Sequence, residues 1–178
     1  MSVSNLPEKI ILTGYRATGK SSVGKILAVE LDYDFIDMDK IIEERYGKIS
    51  ALVAEKGWGF FREREKELLV ELVSKTGKVI ATGGGAIMHE DEWQQLKRSG
   101  LVVWLTSDIE SICTRLGVDP ATPGQRPSLT GKDIREEAAS ILAEREPLYR
   151  NGSHMEVDSN RSLEVVAAEI LAALKTTP

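Results

Sequence analysis

Lys9-Ile10-Ile11-Leu12-Thr13 runs directly into Gly14-Tyr15-Arg16-Ala17-Thr18-Gly19-Lys20-Ser21, a GxxxxGKS sequence between an apolar β-branched run and a helical pattern. That order of strand, glycine loop and helix is what a phosphate-binding loop requires. Gly14 and Gly19 allow backbone conformations that turn successive N–H groups inward, toward phosphate oxygens at a helix N-terminus. Lys20 adds a mobile cation and Ser21 a hydroxyl suited to Mg²⁺, so the segment reads as a site for the triphosphate of a nucleotide. A chain that starts this way is committed early to an α/β fold.

The rest of the chain keeps that pattern. Val23, Ile26, Leu27 and Leu31 recur at helical spacing, and Phe35-Ile36-Asp37 follows as a second strand. Asp39 is a candidate cap for a helix from Lys40 to about Tyr46, ended by Gly47. Residues 50–56 form another helical turn or two. Gly57 and Gly59 interrupt the pattern before a long helix that carries Phe61, Leu68, Leu69, Leu72 and Val73 and stops at Gly77. Strands are expected at 78–82, 101–105 and 155–158, and helices at 91–99, from about 106 to 116, at 133–148 and around Leu163 to Leu174. The stretch 117–131 contains Pro120, Pro123, Gly124 and Pro127 and reads as a loop of active-site-lid length. Alternating strands and helices predict a parallel sheet covered on both faces, with ligands beyond the carboxyl ends of the strands.

With 178 residues, 42% hydrophobic and 29% charged, the chain suits a single domain over 1–178 with its own core. A net charge of −5 lacks the basic footprint of a nucleic-acid binder, so an anionic ligand must be met by a local cluster of arginines. Cys113 is the one cysteine, which removes intramolecular disulfides and multi-cysteine zinc sites and suits a reducing cytoplasm. The first residues show no signal-peptide pattern, and no run of 18 apolar residues occurs, so neither export nor membrane insertion is expected.

Several strand ends carry chemistry. Asp37 and Asp39, two apart on an extended backbone, project to one side, where one can hold a metal-bound water and the other a substrate hydroxyl, although Asp39 can equally serve as a helix cap. Phe61, Glu65, Leu68 and Leu72 share one helix face, so a carboxylate lies on the apolar side and needs a partner. Arg62 is within reach. Glu65 then either orients that guanidinium for a bidentate contact or belongs to a weak solvated salt bridge. Gly83-Gly84-Gly85 lets a ligand approach the main chain, or a helix pack closely. Arg126, stiffened by Pro127, can swing over a triphosphate or simply lie on the surface. Arg145 sits at an expected helix end, where it can answer the dipole. His89 and His154 are distant in sequence and suggest neither a metal site nor a triad. The absence of NKxD and DxxG argues against a regulatory GTPase. What remains is a small phosphotransferase with an anionic acceptor.

In order along the chain, GYRATGKSSVGK at 14–25, DMD at 37–39, FRERE at 61–65, VIATGGG at 79–85, RPSL at 126–129 and REPLY at 145–149 together resemble the shikimate kinases. These belong to the nucleoside-monophosphate-kinase-like P-loop group. The resemblance implies a three-layer P-loop kinase fold with a five-stranded parallel sheet of order 2-3-1-4-5 and a mobile lid. It also implies ATP-dependent phosphorylation of the shikimate 3-hydroxyl, in a monomer that uses Mg²⁺. Gly14, Ala17, Thr18, Gly19, Lys20, Ser21 and Ser22 would hold ATP, with Arg115 stacked on adenine and Arg126 closing over the phosphates. Asp37 and Ser21 would hold Mg²⁺, and Asp39 would bind the acceptor hydroxyl as candidate base. Arg62 and Arg145 would grip the shikimate carboxylate beside Gly83, Gly84 and Gly85, and Lys20, Asp39 and Arg126 form the catalytic set. Ala17 stands where many members carry a third glycine. Two other activities fit parts of the pattern: a gluconate-kinase-like enzyme, and an ATP-binding module without transfer activity.

Overall fold

The computed structural model describes residues 6–118 and 133–176. The lid expected at about 117–131, with Arg126, lies almost wholly outside the described residues. Five parallel strands, β1 (Lys9–Thr13), β2 (Asp34–Asp37), β3 (Lys78–Ala81), β4 (Leu101–Thr106) and β5 (Met155–Asp158), pair in the order β2-β3-β1-β4-β5. The order is the one the family resemblance implies. The helices are α1 (Lys20–Leu31), α2 (Met38–Tyr46), α3 (Ile49–Val73), α4 (Glu90–Arg98), α5 (Ile109–Val118), α6 (Ile134–Gly152) and α7 (Leu163–Thr176), with a short 3₁₀ turn at Ala86–Met88.

Strand side chains alternate between two cores. Ile10, Leu12, Val79, Val103 and Leu105 pack against Val23 and Leu27 of α1 and Val166 and Ile170 of α7. Ile11, Ile80, Val102 and Trp104 face the other way, toward Met38, Phe61, Leu68, Trp93 and Tyr149. Both faces are covered, which explains the unbroken apolar runs that mark these strands in the sequence. A third cluster of Tyr15, Ile112, Leu116, Ala138 and Ile141 ties α5 and α6 to the phosphate loop, beyond the strand ends.

Four local expectations need correction. Helix α2 begins at Met38, and its cap is Asp37, whose carboxylate accepts from the Lys40 backbone N–H at 3.4 Å. Asp39 lies inside the first turn and is not the cap. The break between the short helical stretch and the long helix of α3 falls at Gly57 alone, with φ 81°, whereas Gly59 stays helical. Helix α3 ends at Val73, short of Gly77. Its last carbonyls, on Leu72 and Val73, accept from Lys9 Nζ at 3.0 and 2.5 Å. A buried cation at a helix C-terminus is favourable by about 0.3 to 2 kcal/mol, and it stops the helix where the β1 residue can reach it. Helix α6 runs on past Leu148 to Gly152 even though Pro147 removes an N–H. Tyr149 offsets that loss: it is fully buried and its ring stacks on Trp104 with centroids 5.9 Å apart.

Candidate active site

All strands point the same way, so their carboxyl ends share one rim. A cavity of about 560 Å³ opens there, lined by the phosphate loop, Asp37, Asp39, Trp58, Arg62, Glu65, Thr82 to Gly85, Arg115, Arg145 and Arg161.

The nucleotide side is made largely of backbone. Gly14 leaves β1 at φ 138°, and a Cβ there would stand 2.5 Å from the Leu105 carbonyl oxygen, so glycine is required. Thr18 is buried and donates to Tyr15 O at 2.8 Å. Lys20 Nζ donates to Gly14 O at 2.8 Å and Tyr15 O at 2.7 Å, folding the loop back on itself. Ala17 sits at φ 61°, a left-handed conformation that strains an L-residue by about 1 kcal/mol. Helix α1 has no acidic residue in its first turn, leaving the positive pole of its dipole facing the cavity.

Arg115 braces this side. Its guanidinium donates to Ala17 O at 3.1 Å and Ser159 O at 2.6 Å, joining the loop to the end of β5. Arg16 pairs with Glu137 of α6, and Glu137 is only 1% exposed. Ser21 Oγ donates to Asp37 Oδ2 at 2.6 Å, bringing together the two residues expected to share Mg²⁺. A hydroxyl and a carboxylate are hard oxygen ligands of the type Mg²⁺ takes alongside phosphate oxygens and water. Among the described residues no cluster of three or more His, Cys, Asp or Glu side chains forms a site. The residues therefore fit a cation held largely by the nucleotide itself.

The acceptor side is made of side chains. Glu65 is 1% exposed, so it does not belong to a solvated helix pair. Its Oε2 accepts from Arg62 at 2.7 Å and lies 3.0 Å from His89 Nε2, while Oε1 has no hydrogen-bond partner. By contrast Arg64–Glu67, two residues along the same helix, is the more exposed pair of modest value. Trp58 and Phe61 flank Arg62, whose guanidinium lies 5.6 and 5.2 Å from their ring centroids.

The three glycines act mainly by leaving room for these groups. A Cβ on Gly83 would meet Glu65 Oε1 at 2.5 Å and Asp39 Oδ1 at 3.1 Å, and one on Gly85 would meet the Arg62 guanidinium at 2.2 Å. The turn is pinned at its start by Thr82, whose N–H and hydroxyl both donate to Leu12 O, at 3.1 and 3.0 Å. The Gly84 carbonyl accepts from Arg145 at 3.1 Å and from the Tyr149 hydroxyl at 2.5 Å. Arg145 is 7% exposed and nearly two turns inside α6, so it is not an answer to the helix dipole. Burial pushes the Tyr149 phenol up to about 12.

The structure thus brings every site residue expected among the described positions to this rim or the loop beneath it; Arg126 lies outside the described residues. Sequence reasoning passed over Arg16, Trp58, Thr82, His89, Glu137 and Tyr149. Arg16, Thr82 and Tyr149 carried a signal only as members of the motifs at 14–25, 79–85 and 145–149. The other histidine, His154, accepts from the Val102 N–H at 2.9 Å on Nδ1, and burial lowers its pKa, which keeps it neutral in a structural role.

A family model described as shikimate kinase matches residues 16–175. The chain is 38% identical over 167 residues to the shikimate kinase of Nitratidesulfovibrio vulgaris, covering 93% of this chain and 95% of that one. It is 42% identical over 176 residues to the shikimate kinase of Syntrophus aciditrophicus, covering 94% and 89%. Among solved structures, shikimate kinase from Acinetobacter baumannii in complex with shikimate superposes with a TM-score of 0.89 at 33% identity, covering 97% of this chain and 95% of that one.

Proposed function

The chain belongs to the shikimate kinase family, and on that premise we propose how its residues divide the work of phosphorylating the 3-hydroxyl of shikimate at the expense of ATP. Shikimate kinase activity is the family's, and it displaces the gluconate-kinase-like and silent-module readings. The observation that carries the assignment is the convergence of Arg62, Glu65, Asp39 and Arg145 on the Gly83 to Gly85 turn, directly beside the phosphate loop.

Arg62 and Arg145 bind the acceptor carboxylate. A guanidinium is suited to that contact because it presents two parallel donors, and Glu65 fixes one of the two guanidiniums in advance. With the carboxylate held there, the acceptor ring spans the glycine turn and its hydroxyl points toward Asp39. In the transfer, the bond from that hydroxyl oxygen to the terminal phosphorus forms as the bond to the ADP oxygen breaks, and Asp39 takes the hydroxyl proton. Lys20, the α1 N-terminus and the loop N–H groups neutralise the charge on the phosphoryl oxygens. Ser21 and Asp37 would hold Mg²⁺, which supplies further neutralisation and orients the triphosphate. By resemblance, Arg115 contacts adenine and Arg126 adds its charge from the lid segment.

We further assign the 178 residues to one domain acting as a monomer in the cytoplasm. No helix among the described residues is long and apolar enough to cross a membrane, and the lone Cys113 suits a reducing compartment.

ADP release by purified protein with MgATP tests the reaction, comparing shikimate, gluconate and no acceptor. Release stimulated by shikimate alone is expected; stimulation by gluconate alone would reject the acceptor site. Asp39→Asn should lower kcat by about 10²-fold or more with ATP binding retained, and wild-type turnover in that variant would remove Asp39 from the mechanism.

A further inference from the structure

His89 breaks a local rule. It follows the 3₁₀ turn and stands at the N-cap of α4, where its carbonyl accepts from the Trp93 N–H at 2.7 Å. A side chain at that position ordinarily bonds the helix's first N–H groups. The imidazole makes no such bond. It turns instead toward α3 and meets Glu65 Oε2 at 3.0 Å, across 24 residues of sequence. Local conflicts of this kind mark places where another requirement outweighs helix stability.

The groups around the imidazole define that requirement. From α3 it faces Glu65, with Arg62 beyond and Lys66 to one side. On α4, Glu92 lies within electrostatic reach of it and pairs with Lys66 at 3.2 Å. Helix α6 brings Arg145 and Tyr149 to the same turn. Glu65 can only accept as a carboxylate, so Nε2 carries the hydrogen. Oε2 therefore takes two donors, Arg62 and His89, while the buried Oε1 is aimed at Gly83 without a partner. With a single donor on Oε2 the carboxylate is free to turn about that bond and to take the guanidinium with it. Two donors on one oxygen fix the plane of the carboxylate, and with it the fork of Arg62.

We infer that His89 is a positioning residue for acceptor binding: its Nε2–H locks the buried Glu65 carboxylate, which in turn presents the Arg62 guanidinium to the carboxylate of shikimate. This rests on the reading that Arg62 meets the acceptor. The function of His89 lies in the acceptor KM, not in the phosphoryl-transfer step.

The test uses the full chain with shikimate and ATP each varied in steady state, alongside thermal melting, for His89→Ala, His89→Gln, His89→Asn and Arg62→Ala. His89→Ala raises the shikimate KM by about five- to tenfold, less than the direct loss of a charge-assisted hydrogen bond to the ligand because the effect is transmitted through Glu65 and Arg62, and leaves kcat and the ATP KM within about twofold. His89→Gln, whose amide nitrogen reaches about as far as Nε2, restores most of the affinity, and the shorter His89→Asn does not. A shikimate KM unchanged in His89→Ala overturns the inference, as does a loss confined to melting temperature or a Gln variant no better than Ala. Should His89→Ala fail to fold, the Gln and Asn pair makes the same comparison. If Arg62→Ala raises the shikimate KM and the His89 variants do not, this inference alone falls. If Arg62→Ala leaves that KM unchanged, the acceptor-site reading falls and takes the inference with it.

Discussion

The two halves of the cavity are built from different materials. On the nucleotide side, contiguous residues 14–21 make the cradle, and its inner bonds close within a few positions, Thr18 to Tyr15 and Lys20 to Gly14 and Tyr15, with Arg115 bracing it from outside. On the acceptor side, the working groups come from several elements, and beyond the Arg62–Glu65 pair on α3 they are fixed by partners far away in sequence: Glu65 by His89, Gly84 by Arg145 and Tyr149. Triphosphate is the same ligand in every enzyme that uses it, and a backbone cradle suits it. A particular cyclic acid needs shape and directed charge, which only side chains supply.

This division predicts separable lesions. The largest effect is expected for Lys20→Ala, which removes both a cation at the phosphates and the two bonds that close the loop: kcat should fall by about 10² to 10³-fold, while shikimate binding measured without nucleotide persists. Loss of both together would mean the halves are not independent. Next is Gly85→Ala, whose methyl would collide with the Arg62 guanidinium. A rise of about tenfold or more in the shikimate KM with an unchanged ATP KM is expected; an effect on ATP instead would break the comparison.

Tyr149→Phe keeps the stack on Trp104 but removes the bond to Gly84 O, at about 1 kcal/mol of stability measured by denaturant unfolding. It also removes a titration. The buried phenol is raised from 10.0 to about 12, so its neutral form is favoured in the folded state. That contribution is complete below pH 10 and is lost as pH rises through about 12. Wild-type stability should decline over that window more steeply than that of the variant, and parallel curves would contradict the assignment. The smallest effect is expected for Ala17→Gly. Relief of about 1 kcal/mol of strain is offset by about 0.4 to 1 kcal/mol of added freedom in the unfolded chain, leaving a few tenths in the denaturation midpoint and no change in either KM. A clear destabilisation would show that the left-handed residue is not strained.

The same division decides what could be read before the structure was known. The phosphate loop follows from a short motif and its spacing, whereas the strand order and the Ser21 and Asp37 pair are implied by the resemblance to the shikimate kinases. Arg62 and Glu65 were visible as neighbours on one helix face, but burial chose between a working pair and a surface pair, and burial of that face depends on α4 and the glycine turn. His89 gave no signal, because its partner lies 24 residues away on another element. Asp39 reads in the sequence either as a cap or as a site residue, since Asp37 competes for the cap from two residues earlier and only backbone geometry separates them. Helix ends were displaced for tertiary reasons: Lys9 finishes α3 early, and Tyr149 carries α6 through Pro147.

The strand order has a consequence for how such a chain can change. β1 lies at the centre of the sheet, with β2 and β3 on one flank and β4 and β5 on the other. Asp39 and the glycine turn follow the first flank, Arg115 and Ser159 the second, and the phosphate loop divides them. Substitutions that retune the small molecule being phosphorylated can therefore accumulate largely on one flank, with Arg145 of α6 reaching it from the other, while the second flank goes on serving the nucleotide. A single sheet holds two territories on which selection can act separately.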